Sequence, residues 1–395
     1  MYENLETTFT QIYPKFEIIF SVAEEDDPCL DVVQMLIDKY PQVDVKLSIG
    51  EEIVGVNPKI NNMMTAFRIA KYDILWVIDS NVQVVPETLM RSVKSLTSKP
   101  GIGVVHHVPY ALVSERDAAV GTQLEQAFLN TNHAKMYIAL NALAIDSCVM
   151  GKSNLYRRSH IEQISSSRVP LSKQNLLPPP RGPVRGLPAV AKYAAEDAKI
   201  GQAIWHELGL SHILDVDVAA NALGPMSFKA YVERRARWIR VRKADVLAAT
   251  ILEPLTESVL AGILFSNALS CLSGGRISAI AVFAIHWCIV LSIDLDVRYC
   301  LASTPFSSWH ECFTFILAWA GRELLAFPIW LYAIFGNEIN WRGVKYRMLR
   351  NGEVERSSSW SRVGSPRSSQ VAGSGHSSRT ATEDQAPLLR PGHSL

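Results

Sequence analysis

The sequence predicts an α/β domain built around a mostly parallel sheet, followed by membrane-associated helices and a disordered tail. Three observations carry this. Short β-rich runs alternate with amphipathic helical patterns over residues 1–243, apolar segments nearly free of charge gather after Pro254, and 11 serines crowd residues 351–395.

The elements follow in order. Residues 16–22 read as a strand and 31–39 as a helix; 43–49 is a second strand and 60–71 a second helix. Residues 73–79 form a near-continuous apolar run ending in a carboxylate, which suits a buried parallel strand. A helix over 87–97 and a strand over 103–108 continue the alternation. In such sheets ligands bind at the carboxyl ends of the strands, where Asp27 and Asp79 fall. Residues 168–187 are rich in Pro and Arg and read as an inserted loop before a helix over 196–208. The resulting division is a domain at 1–250, membrane-associated helices at 251–350 and a Ser-rich tail at 351–395.

Composition narrows the classes. Lys and Arg number 39 against 38 Asp and Glu, a net charge of +1, so binding to nucleic acid through bulk charge is excluded. A hydrophobic fraction of 48% with only 19% charged residues excludes wholesale disorder. The six cysteines have no metal-finger or CxxC spacing and read as packing residues in a reducing setting.

Residues 258–273 and 277–293 carry no charge, and 312–335 is interrupted only by Arg322-Glu323. Each is near or below the roughly 20 residues that a span needs, so a short span, a tilted helix and an interfacial helix all stay open. Residues 229–243 hold seven basic side chains and one acid, and Arg342, Lys345, Arg347 and Arg350 follow the last apolar stretch. The positive-inside rule puts both flanks in the cytosol, which requires an even number of crossings. One of the three segments, the broken third or the short first, is therefore interfacial or re-entrant.

Five motifs carry candidate chemistry, and each has a plainer reading beside it. Glu24-Glu25-Asp26-Asp27-Pro28 can accept hydrogen bonds from a nucleotide, or simply form a solvated turn capping the next helix. Lys59 and Asn62, in Gly55-Val56-Asn57-Pro58-Lys59-Ile60-Asn61-Asn62, can hold a nucleotide from a turn before a helix, or belong to an asparagine-capped turn. Asp79-Ser80-Asn81 can bind Mg²⁺ or Mn²⁺, which favour hard oxygen ligands, or close a strand. Glu196-Asp197 opens a helix whose dipole favours an ionised base, or merely caps it. Arg234-Arg235-Ala236-Arg237-Trp238 suits a diphosphate and a stacking partner, or an anionic membrane surface.

The ordered series resembles the processive-type inverting glycosyltransferases of glycosyltransferase-A fold, whose pattern is D, D, D, (Q/R)xxRW. Within them it is similar to the ceramide glucosyltransferase family. Further residues carrying the resemblance are Asn4-Leu5-Glu6-Thr7, Tyr13-Pro14-Lys15, Ala70-Lys71-Tyr72-Asp73, Leu124-Glu125-Gln126, Asn132-His133 and Ile339-Asn340-Trp341-Arg342. The resemblance implies transfer of glucose from UDP-glucose to the primary hydroxyl of ceramide, at the cytosolic face of a Golgi or ER/Golgi membrane. It implies donor contacts at Asp26, Asp27, Lys59, Asn62 and Asp79, with a divalent cation at Asp79. It implies Asp197 as general base, with His133, Arg234, Arg237 and Trp238 completing the active site. Alternatives are a transferase using a sterol or polyisoprenyl phosphate, and a truncated inactive relative. Family members open with a transmembrane anchor and a Lys-Pro-Leu-Lys-Gly-like strand; this chain is expected to start after both, and Asp79-Ser80-Asn81 lacks the second acid of a DxD pair.

Overall fold

The computed structural model describes residues 1–167, 184–341 and 343–357 (of Glu115 the backbone alone), so most of the proline-rich stretch and residues 358–395 of the tail lie outside the described residues. A five-stranded sheet runs in the order β3-β6-β5-β7-β4, from β3 (Ile74–Ile78), β4 (Val82–Gln83), β5 (Ile102–Val113), β6 (Ser153–Arg157) and β7 (Ser211–Leu223). The sheet is mixed where the sequence predicts a mostly parallel one. Only β5 and β7 pair in parallel; β6 runs antiparallel between β3 and β5, and β4 antiparallel to β7. Alternating strands and helices signal parallel crossovers, but β6 is a short polar strand, SNLYR, with no such local signature. β1 (Glu17–Val22) and β2 (Asp44–Ile49) form a separate parallel pair.

The hydrophobic rules account for what packs where. β5 is buried along most of its length, as an interior strand covered on both faces must be. The helix Pro58–Ile69 begins at Asn57, whose side chain accepts from the Lys59 and Ile60 amides, with Pro58 in the first turn where its missing N–H costs nothing. Lys59 and Asn62 therefore lie within this helix rather than in the turn before it. Ile60, Met64, Tyr156, Ile200 and Ile204 then join one core, which fixes that helix and the helix Glu196–His206 against the sheet.

After helix Phe228–Asp245 the chain forms Ser258–Leu272, Ala279–Ala302 and Trp309–Ile334. The last two are long and apolar enough to cross a membrane, and the first joins Leu247–Thr256 in a pair bent by 62°. The helix Ala279–Ala302 runs past the predicted end of its apolar segment because Asp294 and Arg298 are buried against partners. Residues 338–356 are not membrane helices or tail: β8 (Glu338–Trp341), β9 (Val344–Met348) and β10 (Val354–Arg356) form an antiparallel sheet. Ile339, Tyr346 and Met348 pack against Val56 and Ala194, so the chain returns to the first domain.

Candidate active site

The antiparallel pairing of β3 with β6 sets Ile78 opposite Ser153, which brings Lys152 beside Asp79. The Asp79 amide donates to the Lys152 carbonyl at 3.1 Å, and Lys152 Nζ returns to Asp79 Oδ2 at 2.8 Å. From the other side Lys59 Nζ sits 3.0 Å from Asp79 Oδ1, 3.2 Å from Glu196 Oε1 and donates to the Gly151 carbonyl at 3.1 Å. Asn57, the cap of the Lys59 helix, holds the second Glu196 oxygen at 2.9 Å. Residues 59, 79, 152 and 196 thus meet at one point, where a strand end faces two helix starts.

Asp197 adjoins this cluster. A Cβ on Gly151 would lie 2.9 Å from Asp197 Oδ2 and 3.1 Å from Lys59 Nζ, so a larger residue here would push both side chains out of their present places. Burial and then the neighbouring Glu196 charge push the Asp197 carboxyl up to about 6. Burial pulls the Lys59 ammonium down, but the Glu196, Asp79 and Asp197 charges outweigh it and leave it raised. Asp79 also loses solvation, yet Lys59 and Lys152 hold it below its usual value. The set is one acid poised near neutral beside another, Asp79, that its lysines hold ionised.

The basic motif builds a second wall. His133 closes a π-helical turn, Leu129–His133, and its ring lies 5.6 Å from that of Trp238. Burial and the nearby Arg235, Arg242 and Arg234 charges pull His133 down to about 3, so it is neutral at working pH. Arg234 Nε donates to the fully buried Glu125 at 2.7 Å and its guanidinium lies 5.2 Å over Trp238. Arg235 lies over both Phe128 and Trp238, with Nη1 buried and without a hydrogen-bond partner among the described residues.

Tyr137 joins the two walls. Its ring stacks on His133 at 5.7 Å, and its hydroxyl accepts from the Met150 amide at 3.1 Å, one residue before Gly151.

Other expected residues stand apart. Asp26 and Asp27 are exposed; Asp27 accepts from the Cys29 amide at 2.9 Å, which lowers its carboxyl, so in this structure it holds the turn that leads into the helix Cys29–Lys39. Asn62 donates to the Ser21 carbonyl and ties β1 to the Lys59 helix. Arg237 has no hydrogen bond or ion pair among the described residues. Lys152, Glu125, Arg235 and Tyr137 were not candidates from sequence; Glu125 and Arg235 lay in noted motifs, and strand pairing or buried contact is what reveals the role of each.

Among the described residues no group of three His, Cys, Asp or Glu side chains is placed to hold a metal. A single carboxylate still fits Mg²⁺ or Mn²⁺, which commonly take one or two carboxylates and complete their shell with substrate phosphates and water. The charges agree: two lysines leave three carboxylates and a diphosphate with an excess of negative charge, and a divalent cation removes most of it.

The glycosyl transferase family 21 model matches residues 1–165 and 183–354. A ceramide glucosyltransferase of Komagataella phaffii is 36% identical over 403 residues, covering 87% of this chain and 79% of the relative. One from Candida albicans is 31% identical, covering 89% and 84%. A mannosyltransferase of Pyrobaculum calidifontis, solved with GDP-Man and Mn²⁺, aligns over 82% of this chain and 83% of its own at 18% identity and a TM-score of 0.36. By the family model and these relatives, the chain belongs to glycosyl transferase family 21, together with the ceramide glucosyltransferases.

Proposed function

We propose that the protein transfers glucose from UDP-glucose to the primary hydroxyl of ceramide with inversion, giving glucosylceramide. The observation that carries this is the meeting of Asp79, Glu196 and Asp197 around Lys59, in a chain related over most of its length to ceramide glucosyltransferases. Asp197 takes the proton from the acceptor hydroxyl as that oxygen attacks the anomeric carbon. The bond from that carbon to the diphosphate oxygen breaks, and UDP leaves with the electron pair. A base near pH 6 is strong enough to accept the proton and still ionised at neutrality.

Lys59 and Lys152 set positive charge beside the diphosphate, Arg234 and Arg237 approach it from the opposite wall, and Trp238 with His133 forms the acceptor side. Asp79 would hold the Mg²⁺ or Mn²⁺, which supplies Lewis-acid neutralisation of the charge on departing UDP. Asp26, Asp27 and Asn62 serve the uridine side, at the end of β1. Basic residues beside the apolar helices support a cytosol-facing domain on a Golgi-type membrane. The test is an acceptor panel in detergent with labelled UDP-glucose. Ceramide is expected to be the acceptor; labelling of a sterol or polyisoprenyl phosphate instead would replace this reading.

A further inference from the structure

The helix Trp309–Ile334 is long enough to cross a bilayer, but its contacts place it elsewhere. Phe315, Ala318 and Trp319 pack with Ala127, and further along Ile329 and Ala333 pack with Leu124, Tyr231 and Ile239. Between them Arg322 lies 5.3 Å over Phe128 and bonds Glu257 at 2.9 Å. At the far end Lys243 Nζ donates to the Ile334 carbonyl at 2.8 Å. From Phe315 to Ala333 is about 28 Å at 1.5 Å per residue, nearly the ~30 Å of a hydrocarbon core. Along that whole length the helix touches elements bearing Glu125, Arg234, Arg235 and Arg237, charged groups that cannot be carried into lipid. Its opposite face is apolar and open: Phe313, Leu317, Leu324 and Leu331 are exposed at helical spacing.

The helix Ala279–Ala302 is divided in the same way. Its second half lies on the first domain, with Lys135 Nζ 2.5 Å from Asp294 and with Val297 and Leu301 packed near Val108 and Tyr137. Its first half pairs with Ser258–Leu272, His286 Nε2 meeting the Ser258 carbonyl at 3.0 Å and the His286 and Phe283 rings abutting Gly262. The hairpin turns at Gly274 and Gly275, both at positive φ, and exposes Phe265, Leu272, Ile280 and Ile285. Fifteen residues reach about 22 Å, and the stem of Arg276 at the turn lets its charge extend to headgroups.

We propose that none of these apolar segments leaves the chain on the far side of the membrane. The hairpin enters and returns, and Trp309–Ile334 lies in the membrane plane with its open face in the lipid. Both ends of the hairpin and both ends of Trp309–Ile334 then stay on the side of the first domain, including the Ser303–Ser308 connection. The occupant is a bilayer surface rather than a protein: the helix's other face is already covered, its exposed face is apolar along its length, and at its C-terminal end Arg240 and Lys243 bond the Glu338 and Gly336 carbonyls, putting positive charge where the chain leaves the apolar segment. This goes beyond glucosyl transfer, and its test reads no activity.

The full chain carrying Thr304→Cys is expressed in sealed microsomes with the cytosolic face outward and treated with a membrane-impermeant PEG-maleimide. One additional adduct is expected relative to the unsubstituted chain, without detergent. Mapping of adducts on the unsubstituted chain is expected to show the native, exposed Cys300 labelled from the same side, so the reading does not depend on the variant folding. Labelling of Thr304→Cys or Cys300 only after the membrane is opened would overturn the proposal. So would glycosylation of an acceptor sequence inserted after Ser307.

Discussion

The ring of Tyr137 stacks on that of His133, with centroids 5.7 Å apart and planes 17° from parallel. The Tyr137 hydroxyl also accepts from Met150 N at 3.1 Å and meets His106 Nδ1 at 2.5 Å. One buried side chain therefore sets the spacing between the Trp238 wall and the loop that touches Lys59 and Asp197.

Tyr137→Phe keeps the stack and removes the hydroxyl. The Met150 amide and His106 lose a buried partner, at about 1–3 kcal/mol. The expected result is a lowered Tm and roughly a tenfold fall in kcat, with a smaller change in KM for UDP-glucose. Steady-state kinetics and thermal unfolding check it.

Asp197 must be ionised to accept a proton, and its carboxyl is raised to about 6. The kcat/KM profile should rise with pH through about 6 and level off above it. Stability moves the other way. A carboxyl raised on folding adds stability that is full below its unfolded value and is lost as pH climbs through its folded one. Unfolding measured across the same buffers should show this component fading as activity grows.

Lys59→Met leaves Asp79 and Glu196 facing each other without their shared cation. Removing one partner from such a set costs about 3 kcal/mol, and UDP-glucose affinity should fall at least tenfold. Lys59→Arg keeps the charge and should retain more of both. Denaturant titration with donor binding separates the two variants.

Glu125 is fully buried and bonds Arg234 at 2.7 Å. In a double-mutant cycle of Glu125→Gln with Arg234→Met, a coupling of about 1–3 kcal/mol in transition-state free energy is expected. Additive effects would mean that Glu125 does not act through Arg234.

Local pattern made much of this site legible. Asp79 ends the most apolar run, Glu196-Asp197 opens a helix, and Asn57 with Pro58 is a helix start, each readable within a few residues. Lys152 was not readable, because its place beside Asp79 depends on β6 pairing antiparallel with β3 some 75 residues away, about which the sequence around it says nothing. Strands β8 to β10 were hidden for a similar reason: their Lys, Arg and Glu side chains point outward while Ile339, Tyr346 and Met348 fill a distant core. Charges at Asp294 and Arg298 mark an end of apolar sequence but not of helix, since Lys135 and the Thr304 carbonyl meet them. Asp27 shows the reverse, an acid in the expected motif whose observed contact is a turn bond to the first amide of the next helix.

The most direct measurement compares wild type with Asp197→Asn for both UDP-glucose binding and glucosylceramide formation on membranes carrying the full chain. The expected result is β-linked product from wild type, with donor affinity within a few-fold in the variant and turnover lowered by roughly 10²–10⁴. Wild-type-like turnover in Asp197→Asn would contradict the assignment of the base and, with it, the proposed site of transfer.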